Sequence, residues 1–370
     1  MYLKIKKLLF IPVGIALFVL GACSQDDAFN IGDSANRSFA SNVETLQSGA
    51  VVEKRNGAYF YEGDICLTNE QLGNLSITGS IFGYQEEPTN TKDLIPTKNI
   101  PKENGLTRSV GVYPTGYNLW AMVRFTYDSS LTALHRARIK VALLRIQSNT
   151  NVRFYNATGQ PTHDNTYNID YPYVNFVYIG NQDTSNSKVG RVGGRQDINL
   201  ADFAFYSWNT HVIEHEICHA LGLFHEQCRP DRDNYVTINT TNLTELGRAN
   251  FKKRTTNYSC RGSYDFQSVM GYDSYTSSTS VVYNTLQPMY TKIDGSEIHQ
   301  GTQLSDGDRA WLNYYYIPYI ARSDTYAELD SIVYDGNNNR LTETQRLQLQ
   351  ALLNNGNSTP PANGRISNEF

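Results

Sequence analysis

The sequence predicts a folded core of mixed helices and strands, set between a processed N-terminal segment and a polar tail. Three observations carry this. Strand-like and helix-like periodicities alternate between residues 118 and 221. The 370-residue chain is 40% hydrophobic and holds 26 tyrosines, a composition of globular rather than disordered chains. Three of its seven histidines fall within the eleven residues His215–His225, a concentration that needs a chemical reason. The formal net charge of −4 gives no electrostatic footprint for nucleic acid, so no such partner is expected.

The elements follow in order. Lys4, Lys6 and Lys7 precede an apolar run of 13 residues, Leu8–Leu20. That is short of the roughly 20 residues that span a bilayer and suits a signal-peptide core. Leu20-Gly21-Ala22-Cys23 resembles a bacterial lipoprotein signal. Residues 1–22 are therefore expected to be removed and Cys23 lipidated, with residues 23–50 as a tether; an ordinary signal with an incidental cysteine is the alternative. The expected location is the cell envelope or surface, with membrane contact only through the lipid anchor, or the medium after release. Residues 51–108 hold "YFYEGDICLTNEQL" and then a stretch with three prolines, "EEPTNTKDLIPTKNIPKENGLTR", which reads as an exposed connection of the kind proteases cut.

From Ser109 the character changes. "NLWAMVRFTYD" alternates as a strand does. Leu131–Ser148 places Ile139, Ala142, Leu143 and Ile146 at i, i+3, i+4 and i+7, the stripe of an amphipathic helix. "TNVRFYN" and "YPYVNFVYIG" read as strands, and "VGRVGGRQDINL" as a glycine-interrupted strand at a sheet edge. A second helix is expected over Asn209–Leu221 and another in "DGDRAWLNYYY". In the tail, residues 321–370, "LTETQRLQLQALL" predicts a short helix capped by Thr342. "DGNNN" lacks the glycine and glutamate of a calcium loop and reads as a turn. The last 17 residues, "NNGNSTPPANGRISNEF", are expected to be disordered.

The stretch "HEICHALGLFHEQCRPDRDNYV" concentrates the chemistry. On a helix, residues four apart share a face, so His215 and His219 can grip one ion. Glu216 lies where it can reach a water at that ion without binding the ion itself. Gly222 can take the left-handed conformation that ends a helix and turns the chain, swinging His225 toward the same point. Three imidazoles with a position left open form a catalytic Zn2+ site. Zinc would lower the pKa of its water to about 7, and Glu216 would take the proton and pass it to a leaving amine. The reaction class is metal-assisted amide hydrolysis.

His-Glu-x-x-His-x-x-Gly-x-x-His is the metzincin motif, and its continuation resembles the astacin family of zinc endopeptidases. The resemblance extends from about Ser109 to Tyr316 and implies an α+β, two-lobed zincin fold for residues 109–320. That fold has a twisted, mostly parallel sheet with two long helices above the cleft and an irregular lower lobe. Its edge strand, expected near Val189–Leu200, would pair with extended protein or peptide substrate. "SVMGY" resembles the family's Met-turn: Met270 would lie beneath the zinc, and Tyr272 would bind zinc and swing to the transition state. Gly271 stands where the family usually has histidine. Glu226 would anchor the N-terminus of the mature enzyme. Arg229, Asp231, Arg232 and Asp233 read as a structural ion-pair network.

The family's usual cysteines are missing. Cys66, Cys218, Cys228 and Cys260 remain, and export permits disulfides. Cys228 and Cys260 are expected to form a substitute bridge, and Cys218 to be a small buried hydrophobe.

Tyr61-Glu62-Gly63-Asp64 resembles the F-x-G-D motif of astacin propeptides, with Tyr for Phe. The resemblance implies a propeptide over residues 51–108 in which Asp64 occupies the zinc position needed by water. Cys66, two residues on, is the rival ligand, since a thiolate also binds zinc. An activating protease, or the enzyme itself, would cut near Arg108. The alternative function is a catalytically inactive surface lipoprotein that uses the same fold to bind protein or glycan; the intact His215, Glu216, His219, His225 and Tyr272 argue against it.

Overall fold

The computed structural model describes residues 42–82, 110–112, 122–165, 168–255, 258–260 and 262–370. The signal segment, Cys23 and Arg108 lie outside the described residues. The chain opens with an antiparallel meander, β1 (Asn42–Thr45), β2 (Val51–Arg55), β3 (Ala58–Tyr61) and β4 (Ile65–Cys66), paired in that order. Asn56-Gly57 joins β2 to β3 with φ of 49° and 83°, as a tight hairpin turn requires. Helix α1 (Asn69–Thr78) follows, started by a reciprocal Thr68–Gln71 capping box. Sequence periodicity was too short to reveal these strands, which run two to five residues. The meander begins inside the stretch expected as tether. Its core is shared: Val52, Tyr61, Ile65 and Leu75 pack with Val189 and Phe224, which belong to the region after residue 109.

Strand β5 (Val110–Val112) pairs antiparallel with Tyr258–Cys260. Then come β6 (Val123–Tyr127), α2 (Ala133–Asn149), β7 (Phe154–Asn156), the small hairpin β8 (His163–Asp164) and β9 (Ile169–Asp170), β10 (Tyr173–Tyr178), β11 (Arg195–Leu200) and α3 (Thr210–Leu221). β11, β10, β6 and β7 form one sheet in that order, every pair parallel. Parallel neighbours need a crossover, and α2 supplies it between β6 and β7. The four predicted stripe residues of α2 are fully buried, packed with Phe125, Phe154, Phe176 and Ile198 of the sheet and Ile213 and Ile217 of α3.

After Gly222 the structure becomes irregular. It holds β12 (Val236–Ile238), α4 (Glu245–Asn250), β13 (Tyr258–Cys260), β14 (Tyr290–Lys292) and α5 (Asp306–Tyr315). A second core, with Phe251, Tyr264, Tyr272 and Tyr290, lies here. The expected α+β architecture is therefore present: a parallel sheet with two long helices, and a less regular remainder.

The expected edge holds over part of its range: 195–200, within Val189–Leu200, is the terminal strand of the sheet. Gly190, Gly193 and Gly194 all take positive φ and break that stretch, so only 195–200 is strand, and its inner side is taken by β10. The residues before it meet its outer side at an isolated bridge. Asn186 bridges Asn199 antiparallel, and Ser187 bridges Ile65 of the N-terminal meander in parallel.

The tail is also ordered where disorder was expected. Helix α6 (Glu343–Leu353) forms with its Thr342 cap, and Asp335 accepts from the Asn337 and Asn339 amides in a turn. Beyond α6, Arg365 and Arg322 converge on the buried Glu328. Asn368 then accepts from Asn156 N at 3.0 Å and donates to Phe154 O at 2.6 Å, and the Phe370 ring stacks on Phe125. The reason is the outer strand β7, whose unpaired backbone groups need partners. The double variant Asn368→Ala, Phe370→Ala should lose about 2–3 kcal/mol in denaturant unfolding without altering zinc content.

Candidate metal centre

Helix α3 runs for twelve residues, all buried. It stops at Gly222, whose φ of 115° belongs to the left-handed region and whose N–H bonds back to Cys218 and His219 carbonyls. That turn brings His225 to the face that carries His215 and His219. The three ring centroids lie 4.6, 4.7 and 5.3 Å apart. His215 Nδ1 is 2.8 Å from Val269 O, and His219 Nδ1 is 2.8 Å from Leu223 O. A carbonyl only accepts, so both Nδ1 atoms carry hydrogen and both Nε2 lone pairs face inward.

A fourth group enters from the N-terminal meander. The Asp64 carboxylate lies 3.4 Å from His215 Nε2, 3.5 Å from His219 Nε2 and 3.2 Å from His225 Nε2. Donor atoms of these four residues all lie within 4.8 Å of one another. The three Nε2 atoms are buried and have no hydrogen-bond partner, which is costly unless a cation takes the lone pairs. The donor set, three imidazoles and a carboxylate, fits Zn2+. Burial works against the Asp64 charge, but His225 foremost, with His215 and His219, outweighs it and holds the carboxyl well below its usual range. Cys66 is not among the four donors. Its N–H pairs with Ser187 O at 2.9 Å, and burial pushes its thiol up.

Asp64 is held by what surrounds it. Glu62 and Gly63 both have positive φ, 52° and 91°. A Cβ on Gly63 would meet Tyr272 Oη at 3.0 Å, so only glycine fits this approach. Tyr272 Oη donates to Glu62 O at 2.7 Å, and its ring lies 4.8 Å from that of His225. The Glu62 side chain is fully buried. It pairs with Arg254 at 2.6 Å and approaches His225 Nδ1 at 3.6 Å. The Arg254 guanidinium in turn lies 3.6 Å over the Phe224 ring. This ion pair was missed in the sequence, although Glu62 stands within the quoted motif.

Glu216 is buried beside the cluster with Oε2 unpartnered. Burial first and the Asp64 charge second push its pKa well above the usual value. Together with Asp64, Tyr272, Ser185 and Val212 it lines a cleft. Met270 is completely buried; its carbonyl accepts from Glu226 N at 2.9 Å. Glu226 has no exposed surface. Its Oε1 accepts from Asp265 N at 2.8 Å, and Oε2 has no partner. Arg229 grips Asp231 with two nitrogens at 2.9 and 2.8 Å, and Arg232 bonds the Gln227 carbonyl and Asp233, giving the expected network. The expected Cys228–Cys260 bridge is absent: both are free thiols. Cys228 Sγ turns into the interior and donates to Asn250 O, while Cys260 lies on β13. Cys218 is buried in the main core, as expected.

The model of the Astacin peptidase family matches residues 113–317. Flavastacin of Elizabethkingia meningoseptica is 30% identical over 342 residues, covering 90% of this chain and 70% of its own length. Zinc metalloproteinase nas-8 of Steinernema carpocapsae is 33% identical over 206 residues, covering 54% of this chain and 44% of its own. The chain thus spans most of one relative and under half of the other. Among solved structures, high choriolytic enzyme 1, a hatching enzyme zinc-protease from Oryzias latipes, is 26% identical with a TM-score of 0.44, over 54% of this chain and 90% of that one.

Proposed function

The chain belongs to the astacin family of peptidases and is a zinc metalloendopeptidase acting on proteins or peptides; from that premise we propose that it is made as a latent, exported precursor whose Asp64 blocks its own catalytic centre. One observation carries the reading: the Asp64 carboxylate lies within 3.5 Å of three buried, otherwise unpartnered imidazole nitrogens. His215, His219 and His225 would hold the zinc. The bound ion would acidify a water and polarise the scissile carbonyl. Glu216 would take a proton from the attacking water and hand it to the departing amine, and burial that raises its proton affinity suits it to do so. Tyr272, whose hydroxyl is engaged by Glu62 O in the precursor, becomes available to the developing oxyanion once that segment leaves. Met270 lies beneath the histidines as packing, and Glu226, with one oxygen unpartnered, suits the new amino terminus formed near Arg108. Cys23 carries the lipid.

The full-length chain should bind one zinc and leave casein intact, and limited proteolysis near Arg108 should start chelator-sensitive cleavage. A full-length chain that cuts casein as fast as the processed one defeats the latency. In the processed enzyme, Tyr272→Phe should lower kcat by about 10²-fold and leave zinc content near one. Loss of the metal in that variant would make Tyr272 a structural ligand instead.

A further inference from the structure

Gln300 belongs to no motif, yet it reaches the metal centre from behind. Its backbone is fixed against the turn that carries Met270. Gln300 N donates to Asp273 Oδ1 at 2.9 Å, and Gly301 N donates to Ser268 O at 3.2 Å. The two segments are so close that a Cβ on Gly301 would meet Gln267 O at 2.1 Å. From this position the Gln300 side chain, buried, sends Nε2 to Val269 O at 2.7 Å. That oxygen is the one that holds His215 Nδ1 at 2.8 Å. The other end of the Val269 residue is pinned as well, because its N–H donates to Asp308 Oδ2 at 2.9 Å.

The chemistry of this junction admits one arrangement. A carbonyl oxygen has two lone pairs and can satisfy both nitrogens if both are donors. Gln300 Nε2 is also 3.4 Å from His215 Nδ1, so an imidazole bearing its hydrogen on Nε2 could turn an Nδ1 lone pair toward the amide. That imidazole would then present N–H, not a lone pair, to a metal. The Val269 oxygen, held in place by the carboxamide, disfavours this option, because an Nδ1 lone pair would then face it at 2.8 Å, acceptor to acceptor. The reverse amide orientation would set Oε1 against the Val269 oxygen, acceptor to acceptor. The cost of the observed arrangement is visible: Gln300 Oε1 is buried without a partner. A residue present only to fill space would be better served by an apolar side chain of the same volume.

We propose that Gln300 is a positioning residue for the metal centre: its carboxamide holds the Val269 carbonyl and so fixes the tautomer and ring orientation of His215, leaving the His215 Nε2 lone pair aimed at Zn2+. The assignment rests on His215 being a zinc ligand. Partners of this kind behind a ligating histidine typically change metal affinity by about 10–100-fold when removed.

The test is Gln300→Met in the full-length chain, a near-isosteric change that removes only the polar groups. Zinc affinity is read by competition with a chromophoric chelator, the His215 tautomer by ¹⁵N shifts in the zinc-free chain, and thermal unfolding is followed with and without metal. The expected result is a zinc Kd weaker by about 10–100-fold, a His215 signal moved toward mixed tautomers, and an unchanged unfolding temperature without zinc. Unchanged zinc affinity and an unchanged tautomer overturn the proposal. So does an equal loss of stability with and without metal, which would mark a packing role. If Gln300→Met does not fold, Gln300→Asn, which keeps the amide but withdraws it by one carbon, takes its place: weaker zinc binding supports the role and wild-type affinity overturns it. A wild-type chain that binds no zinc removes the metal reading and the assignment with it, whereas wild-type binding alongside an unaffected variant removes the assignment alone.

Discussion

Glu216→Ala in the processed enzyme should leave one zinc per chain and reduce peptide hydrolysis by about 10²–10⁴-fold, to the edge of detection. The side chain is buried next to the histidines but is not one of the four clustered donors, so its removal takes away a proton acceptor and no ligand. The measurements are metal content by mass spectrometry and initial rates on a quenched peptide. Comparable turnover in the variant would refute the base assignment; a metal-free variant would mean that the carboxylate supports the ligands instead.

Asp64→Ala acts in the opposite direction. The precursor should begin to cleave casein, or itself, without an added protease. The ion that the three imidazoles would hold loses its buried carboxylate, a change of about 3 kcal/mol or more, which is roughly a hundredfold in the fraction of open chain. The leak should nevertheless remain below the rate of the processed enzyme. The backbone at residues 62–64 is still tied by Tyr272 Oη to Glu62 O, by Arg55 to Gly63 O and by the Glu62–Arg254 pair. Gly63→Ala should add to the leak, because its methyl group would press on Tyr272 Oη in a backbone conformation unfavourable to alanine. Cys66→Ser should leave latency untouched. Release of activity by Cys66→Ser alone, with Asp64→Ala silent, would transfer the block to the thiol.

Much of this was legible in the sequence because the relevant signals are local. The His215–His225 spacing and Gly222 are read within eleven residues, and the stripe on α2 within eight. Tyr61–Asp64 was legible for the same reason. What escaped depends on contacts distant in the chain. Glu62 meets Arg254, Val269 meets Gln300 and Asp308, and Asn156 meets Asn368; no periodicity announces such pairs. The edge strand was drawn too long because glycines were read as interruptions within one strand, when their positive φ ends it. The tail looked disordered by composition, yet polar side chains are what an open strand edge can use. The disulfide was inferred from an oxidising compartment and loop-rich surroundings, and neither fixes where a thiol points.

If the segment is cut as proposed, the shared core of the N-terminal meander would set its fate. Residues 42–82 amount to about 40 residues, near the lower limit for independent folding, and their apolar cluster is completed by Val189 and Phe224 from the enzyme itself. Excised, the segment leaves those two behind and cannot rebuild the cluster, so it should depart as an unfolded peptide open to degradation. Added back in trans it should be a poor inhibitor, since rebinding would have to drive its folding as well. Under the proposed reading, latency of this construction would work as a fuse, spent once per molecule, and any later restraint on the enzyme would have to come from elsewhere.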